Sequence, residues 1–218
     1  KSSEDEEIIS VFPEEIYRSA ELTLQDALSP AALEITPSYL RLGSKLARTI
    51  FVFSYPRYLH TNWFSPIINT DKIFDVTMYI HPVETATMLR TLRKKVAQVQ
   101  SQIQMREEKG LVRDPILDTA YRDLEELRDK LQQAQERLFS FGLYVTVYGS
   151  SEDELNKTEN ELKSVLEARL VHTKPALFQQ AEAFQSVLPL DIDTLNINTY
   201  LSSPPISSTF PFVSFDLT

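Results

Sequence analysis

The apolar positions of this chain change period several times, and each change marks a new element. Leu89, Leu92, Val96, Val99 and Ile103 step by three and four residues, the seam spacing of a coiled coil. A second helical run carries Leu117, Tyr121, Leu124, Leu127, Leu131, Ala134 and Leu138. Between the two runs, Gly110 suits a helix C-terminus, Asp114 an N-cap and Pro115 a first helical position. The pattern predicts a helical hairpin over 84–139, each arm about 35–40 Å long at the α-helical rise. On either side the period falls to two. Phe74–His81 and Phe141–Tyr148 read as strands, the second placing Phe141, Leu143, Val145 and Val147 on one face.

The remaining elements are shorter. Arg48–Ser54 is β-branched and aromatic, hence a strand stopped by Tyr55-Pro56. Asn62–Ile68 predicts a short helix, and Leu33–Leu42 an extended segment. Ser151 with Glu154 forms a capping box for a helix through Ala168. Arg169–Thr173 predicts a strand and Pro175–Leu188 a helix. Residues 1–32 read as an acidic lead-in with a short helix at Glu14–Leu28. The order strand, helix, strand, hairpin, strand, helix, strand is a βαββαβ plan with an arm in place of its middle turn. The expected fold is α+β: a ferredoxin-like antiparallel sheet with helices on one face. A long two-helix coiled-coil hairpin is inserted between its two central strands. On this plan 33–218 is one domain, with the arm at 84–139 and an extended tail at 190–218.

Charge narrows the function. The chain of 218 residues carries 22 Lys/Arg and 31 Asp/Glu, a net of −9. The hairpin holds 11 basic and 10 acidic residues, so it is near neutral on an acidic body. That balance argues against general affinity for nucleic acid or anionic lipid. With no cysteine, disulfides and thiolate metal sites are excluded. The four glycines include no Gly-Lys-Ser/Thr, which excludes a P-loop. His60, His81 and His172 stand far apart without metal-ligand spacing, and no nucleophile elbow is present.

Three sets of residues carry candidate contacts. Tyr79, Tyr144 and Tyr148 fall on one predicted face of the sheet, where bases stack in RNA-recognition domains of this plan. An alternative function is therefore an RNA- or single-strand-binding domain with an open tyrosine face. The acidic body lacks the basic surround that phosphates need, which favours tyrosines packed beneath the N-terminal segment or the aromatic tail. Arg90, Arg93, Lys94 and Lys95 form a basic cluster near the base of the first arm. They are either the wet face of a coiled coil or a contact for an acidic partner or membrane surface. Leu111 and Val112 lie between the arms, and Val112 in particular has no capping role, so a docking knob is expected there.

The order of several motifs resembles the N-terminal, non-ATPase domain of the conjugative-transfer and type IV secretion ATPases of the TraC/TrbE type. The carriers are RTIFVFSYP at 48–56 with Trp63, DVTMYIHPV at 75–83 and the charged arm. They continue with FSFGLYVTVYGSSEDEL at 139–155, QQAEAFQSVLPL at 179–190 and STFPFVS at 208–214. Ser54 and Asp191 depart from glycines common in that pattern. The resemblance implies a docking and assembly domain, catalytically silent, for a machine of bacterial conjugation and DNA transfer. It implies a cytoplasmic location, peripheral at the bacterial inner membrane, with inner-membrane secretion components and neighbouring subunits of a hexamer as partners. No cofactor is expected in these residues. ATP and magnesium are expected in a C-terminal domain following Pro211-Phe212. A general coiled-coil adaptor unrelated to secretion is the remaining alternative.

Overall fold

The structure, a computed structural model, describes residues 32–56 and 58–209. The expected helix at Glu14–Leu28 and the segment around Pro211-Phe212 lie outside them. The described residues form an α+β fold with an open antiparallel sheet of seven strands and with six helices. In chain order these are β1 (Leu33–Ile35), β2 (Leu40–Leu42), β3 (Lys45–Ser54), α1 (Ser65–Ile68), β4 (Phe74–Pro82), α2 (Thr85–Glu108) and α3 (Pro115–Gln132). Then follow β5 (Leu138–Gly149), α4 (Glu152–Glu167), β6 (His172–Pro175), α5 (Gln180–Val187), β7 (Thr199–Ser202) and α6 (Ser203–Ser207).

The strand order runs β1-β2-β3-β5-β4, with β6 also paired to β3 and β7 to β5. β5 is the spine. It is the longest strand, at 12 residues, and nearly every side chain on it is buried. Its alternation sorts the two faces. Phe141, Leu143, Val145 and Val147 join Leu46, Ile50 and Val52 of β3 on one face. There they pack under Trp63, Phe64 and Ile67 and under Leu155, Leu162 and Leu166 of α4. Arg48 is buried on the same face; its guanidinium meets Glu159 at 2.6 Å and Asn156 at 2.8 Å, both on α4.

Helices were expected on one face only. Instead α5 packs on the opposite face of β3, β4 and β5, together with the 190–198 segment. A buried glutamine fixes it there. Gln180 Oε1 accepts from the Thr49 backbone N–H at 2.9 Å, and its Nε2 donates to the Thr49 carbonyl at 3.2 Å. Thr49 lies between the part of β3 paired to β2 and the part paired to β6, so its outward backbone groups have no strand to bond. The side-chain amide supplies the missing rung.

Several boundaries differ from the sequence pattern for local reasons. The helix expected from Pro175 starts only at Gln180, because Phe178 turns the chain at φ 62°. Strand β6 begins at His172 after Leu170 turns at φ 58°. The tail is only partly extended: β7 pairs with β5, and α6 follows. The hairpin leaves from β4, which is an edge strand, and returns to β5, so it does not join two central strands.

Candidate functional site

The cap chemistry read from sequence forms the hairpin's turn. Gly110 adopts φ 65°, where a side chain would be strained, and its N–H bonds the Glu107 carbonyl at 3.0 Å. The Leu111 N–H reaches the Arg106 carbonyl at 3.0 Å, so two carbonyls at the end of α2 are satisfied. Asp114 accepts from the Ile116 N–H at 3.0 Å, and Pro115 opens α3. The arms are unequal. α2 has 24 residues and α3 has 18, about 36 and 27 Å at the helical rise. α3 stops at Gln132 because Ala134 turns at φ 54° and the Gln135 N–H folds back onto the Lys130 carbonyl. Ala134 and Leu138, expected on the return helix, are outside it; Leu138 begins β5.

Burial within the hairpin falls off with distance from the body. Met88, Leu92, Leu131 and Leu138 make a closed cluster at the base, separate from the main core. Val96 is buried too, whereas Val99, Ile103, Leu117, Leu124 and Leu127 are half-exposed. Of the positions expected to form a seam, Leu92 and Val96 are buried, while Leu89 is half-buried beside Met88, which takes the buried place at the base. At the turn, Met105 is 51%, Leu111 52%, Val112 85% and Ile116 78% exposed. Arg106 donates to the Val112 carbonyl at 3.4 Å, tying the turn to the helix that enters it. Large apolar side chains gathered at the end of a polar arm are the kind of surface that marks an interaction site.

The basic cluster is also on this arm. Arg90, Arg93, Lys94 and Lys95 are exposed, and Arg90 donates to Thr87 Oγ1 at 3.1 Å. No ion pair joins Arg93, Lys94 or Lys95 to another described residue. By the 100° step of a helix, Arg90 and Lys94 point away from the Met88, Leu92 and Val96 stripe, while Arg93 flanks it.

The tyrosine face, expected as an alternative nucleic-acid platform, is covered. Tyr144 is fully buried; its hydroxyl donates to Asp193 at 2.9 Å and accepts from the Ile197 N–H at 3.0 Å. Tyr79 is buried under α5 and donates to the Ser186 carbonyl at 2.8 Å. Tyr148 is half-buried, its hydroxyl bonded to Asp75. Burial first, and then neighbouring carboxylates, raise all three phenols above their ordinary range. No base can stack on Tyr79 or Tyr144 while α5 and the 190–198 segment are in place. Sequence periodicity placed these tyrosines on one face, and charge favoured their being covered, but neither identified α5, which meets the sheet through Gln180, Ala183, Ser186 and Val187. Among the described residues no group of His, Asp and Glu is arranged to hold a metal ion. No helix among them is long and apolar enough to cross a membrane. No family model matches the chain, and no curated protein matches it.

Proposed function

We propose that this chain is the N-terminal docking and assembly domain of a type IV secretion ATPase of the conjugative-transfer kind, working by contact and without catalysis of its own. The supporting resemblance is the order and spacing of the motifs between Arg48 and the Pro-Phe segment. The order β6-β3-β5-β4, with α1 and α4 between successive strands, supports the ferredoxin-like part of this reading. In this reading α2 and α3 are a coiled-coil outrigger grafted onto that platform. The observation that carries the proposal is the apolar end of the arm, where Val112 and Ile116 are mostly exposed. Its partners would be inner-membrane components of the secretion system, so the chain would sit peripherally at the inner membrane. Assembly into a hexamer and ATP hydrolysis with magnesium would belong to the whole ATPase.

The test is the double variant Leu111→Ser, Val112→Ser, assayed by pull-down of detergent-solubilised secretion components from the host's inner membrane. Apolar anchors at an interface centre are each worth about 1–2 kcal/mol or more, so binding should fall at least about tenfold. The melting temperature should stay within about 2 °C, because surface changes away from the core cost little. Unchanged binding would remove the arm as the docking element. Turnover of ATP by the purified chain would overturn the non-catalytic reading.

A further inference from the structure

The outer edge of β4 is unusual for a strand that ends a sheet. It is nine residues long, pairs with β5 in continuous register, and carries no Lys or Arg within it. Edges are ordinarily blunted by shortness, bulges or lysines. Here β1 has only three residues, and β6 has four with a register shift and Lys174. β4 lacks these defences, its one proline standing at its last position.

The direction of its backbone groups follows from one hydrogen bond. The Val83 N–H bonds the Leu138 carbonyl directly opposite it, which makes that pair a closely bonded one. By alternation, residues 81, 79, 77 and 75 bond inward to β5. Phe74, Val76, Met78 and Ile80 therefore turn their N–H and C=O groups outward, where no described strand meets them. The side chains of these same four residues are only half-buried, because the helix that follows β3 on their face, α1, has four residues. Ile73, one position earlier, is 82% exposed.

We propose that this edge joins a second copy of the chain, β4 pairing antiparallel with β4 about a two-fold axis at Met78. The strand is self-complementary in that register. Val76 meets Ile80 of the other copy, Phe74 meets Pro82, and Met78 meets its own symmetry mate. On the opposite face Asp75 falls beside His81 of the other copy, twice over. These are non-hydrogen-bonded positions, where antiparallel side chains lie closest. The alternation supplies about eight backbone hydrogen bonds across the axis, Pro82 donating none. Asp75 is ready for the contact: the Tyr148 hydroxyl occupies Oδ2, leaving Oδ1 without a described partner. An edge bonded in this way continues the sheet across both copies, an isologous contact that closes on itself.

The inference is independent of the secretion reading, since it concerns the sheet edge and not the arm. The test is sedimentation equilibrium of the full chain at concentrations up to about 100 µM, enough to populate a weak interface. Wild type should be a reversible dimer. His81→Asp places like charges opposite each other and should raise the dissociation constant at least about tenfold, with the melting temperature of the monomer unchanged. The swapped double variant Asp75→His, His81→Asp keeps a carboxylate opposed to an imidazole in this register alone and should restore dimerisation. A wild type that is monomeric throughout overturns the proposal. So does a dimer indifferent to His81→Asp, or one that the swap fails to restore.

Discussion

Replacing Gln180 by Ala tests how the second face of the sheet is closed. Gln180 is 1% exposed and makes two hydrogen bonds to Thr49, itself 1% exposed. The carbonyl of Thr49 keeps a second donor, the Ala176 N–H at 3.0 Å, so its loss is small. The Thr49 N–H loses its acceptor. An unsatisfied buried donor costs about 1–3 kcal/mol. Removing most of a buried side chain adds about 1–2 kcal/mol for the lost contacts and cavity. The sum is about 3 kcal/mol, or a fall of roughly 6–12 °C in melting temperature for a chain of this size. Urea unfolding followed by far-ultraviolet dichroism gives the free energy. Fluorescence of Trp63, which lies in the other core, reports whether the loss is global. A cost under about 1 kcal/mol would refute the argument, because it would mean that water or another donor replaces the amide without penalty.

Three further outcomes follow from other parts of the molecule. Arg48→Ala removes one partner of a largely buried ion pair and strands Glu159, so stability should fall by about 3–4 kcal/mol in a urea titration. A cost below about 1 kcal/mol would show that Glu159 rehydrates freely. The neutral forms of Tyr55, Tyr79, Tyr144 and Tyr148 are favoured in the folded chain, chiefly by burial. Their folded pKa values are raised, so the stability they contribute is complete below the unfolded value near 10 and is lost as pH rises beyond it. Unfolding free energies measured from pH 8 to 11 should be level at first and fall steeply above about 10; a level profile to pH 11 would contradict the burial. The covered tyrosines also predict no anisotropy change with mixed single-stranded RNA or DNA at low salt, and saturable binding there would revive an open face.

The long elements were legible because periodicity and punctuation agreed. The helices of the arm, its Gly110 and Asp114 caps and the alternating β5 all obey local rules. The Ser151 cap with its bond from the Glu154 N–H does so too. What escaped the pattern depends on partners distant in sequence. Ala134, Leu170 and Phe178 take positive φ without being glycine, so nothing in their side chains announces the turns they make. Placing α5 on the second face requires knowing that Thr49 lacks a neighbouring strand, a fact of sheet order. The exposure of Val112 was inferable from its lack of a capping role. The openness of the β4 edge was not, since an edge strand and an inner strand share one composition here.

Whether the helical hairpin, residues 85–132, stands off the body as an arm is tested by one distance. Because the chain has no cysteine, Ser44→Cys and Lys109→Cys give the only two thiols, both at exposed positions, for spin labelling. Ser44 precedes β3 at the end of the sheet opposite to where the arm leaves. Adding an arm of about 36 Å to a strand span of about 30 Å puts the labels about 60 Å apart by double electron–electron resonance. A dominant separation below about 30 Å would mean that the helices lie back along the sheet, and the docking reading would fall with it.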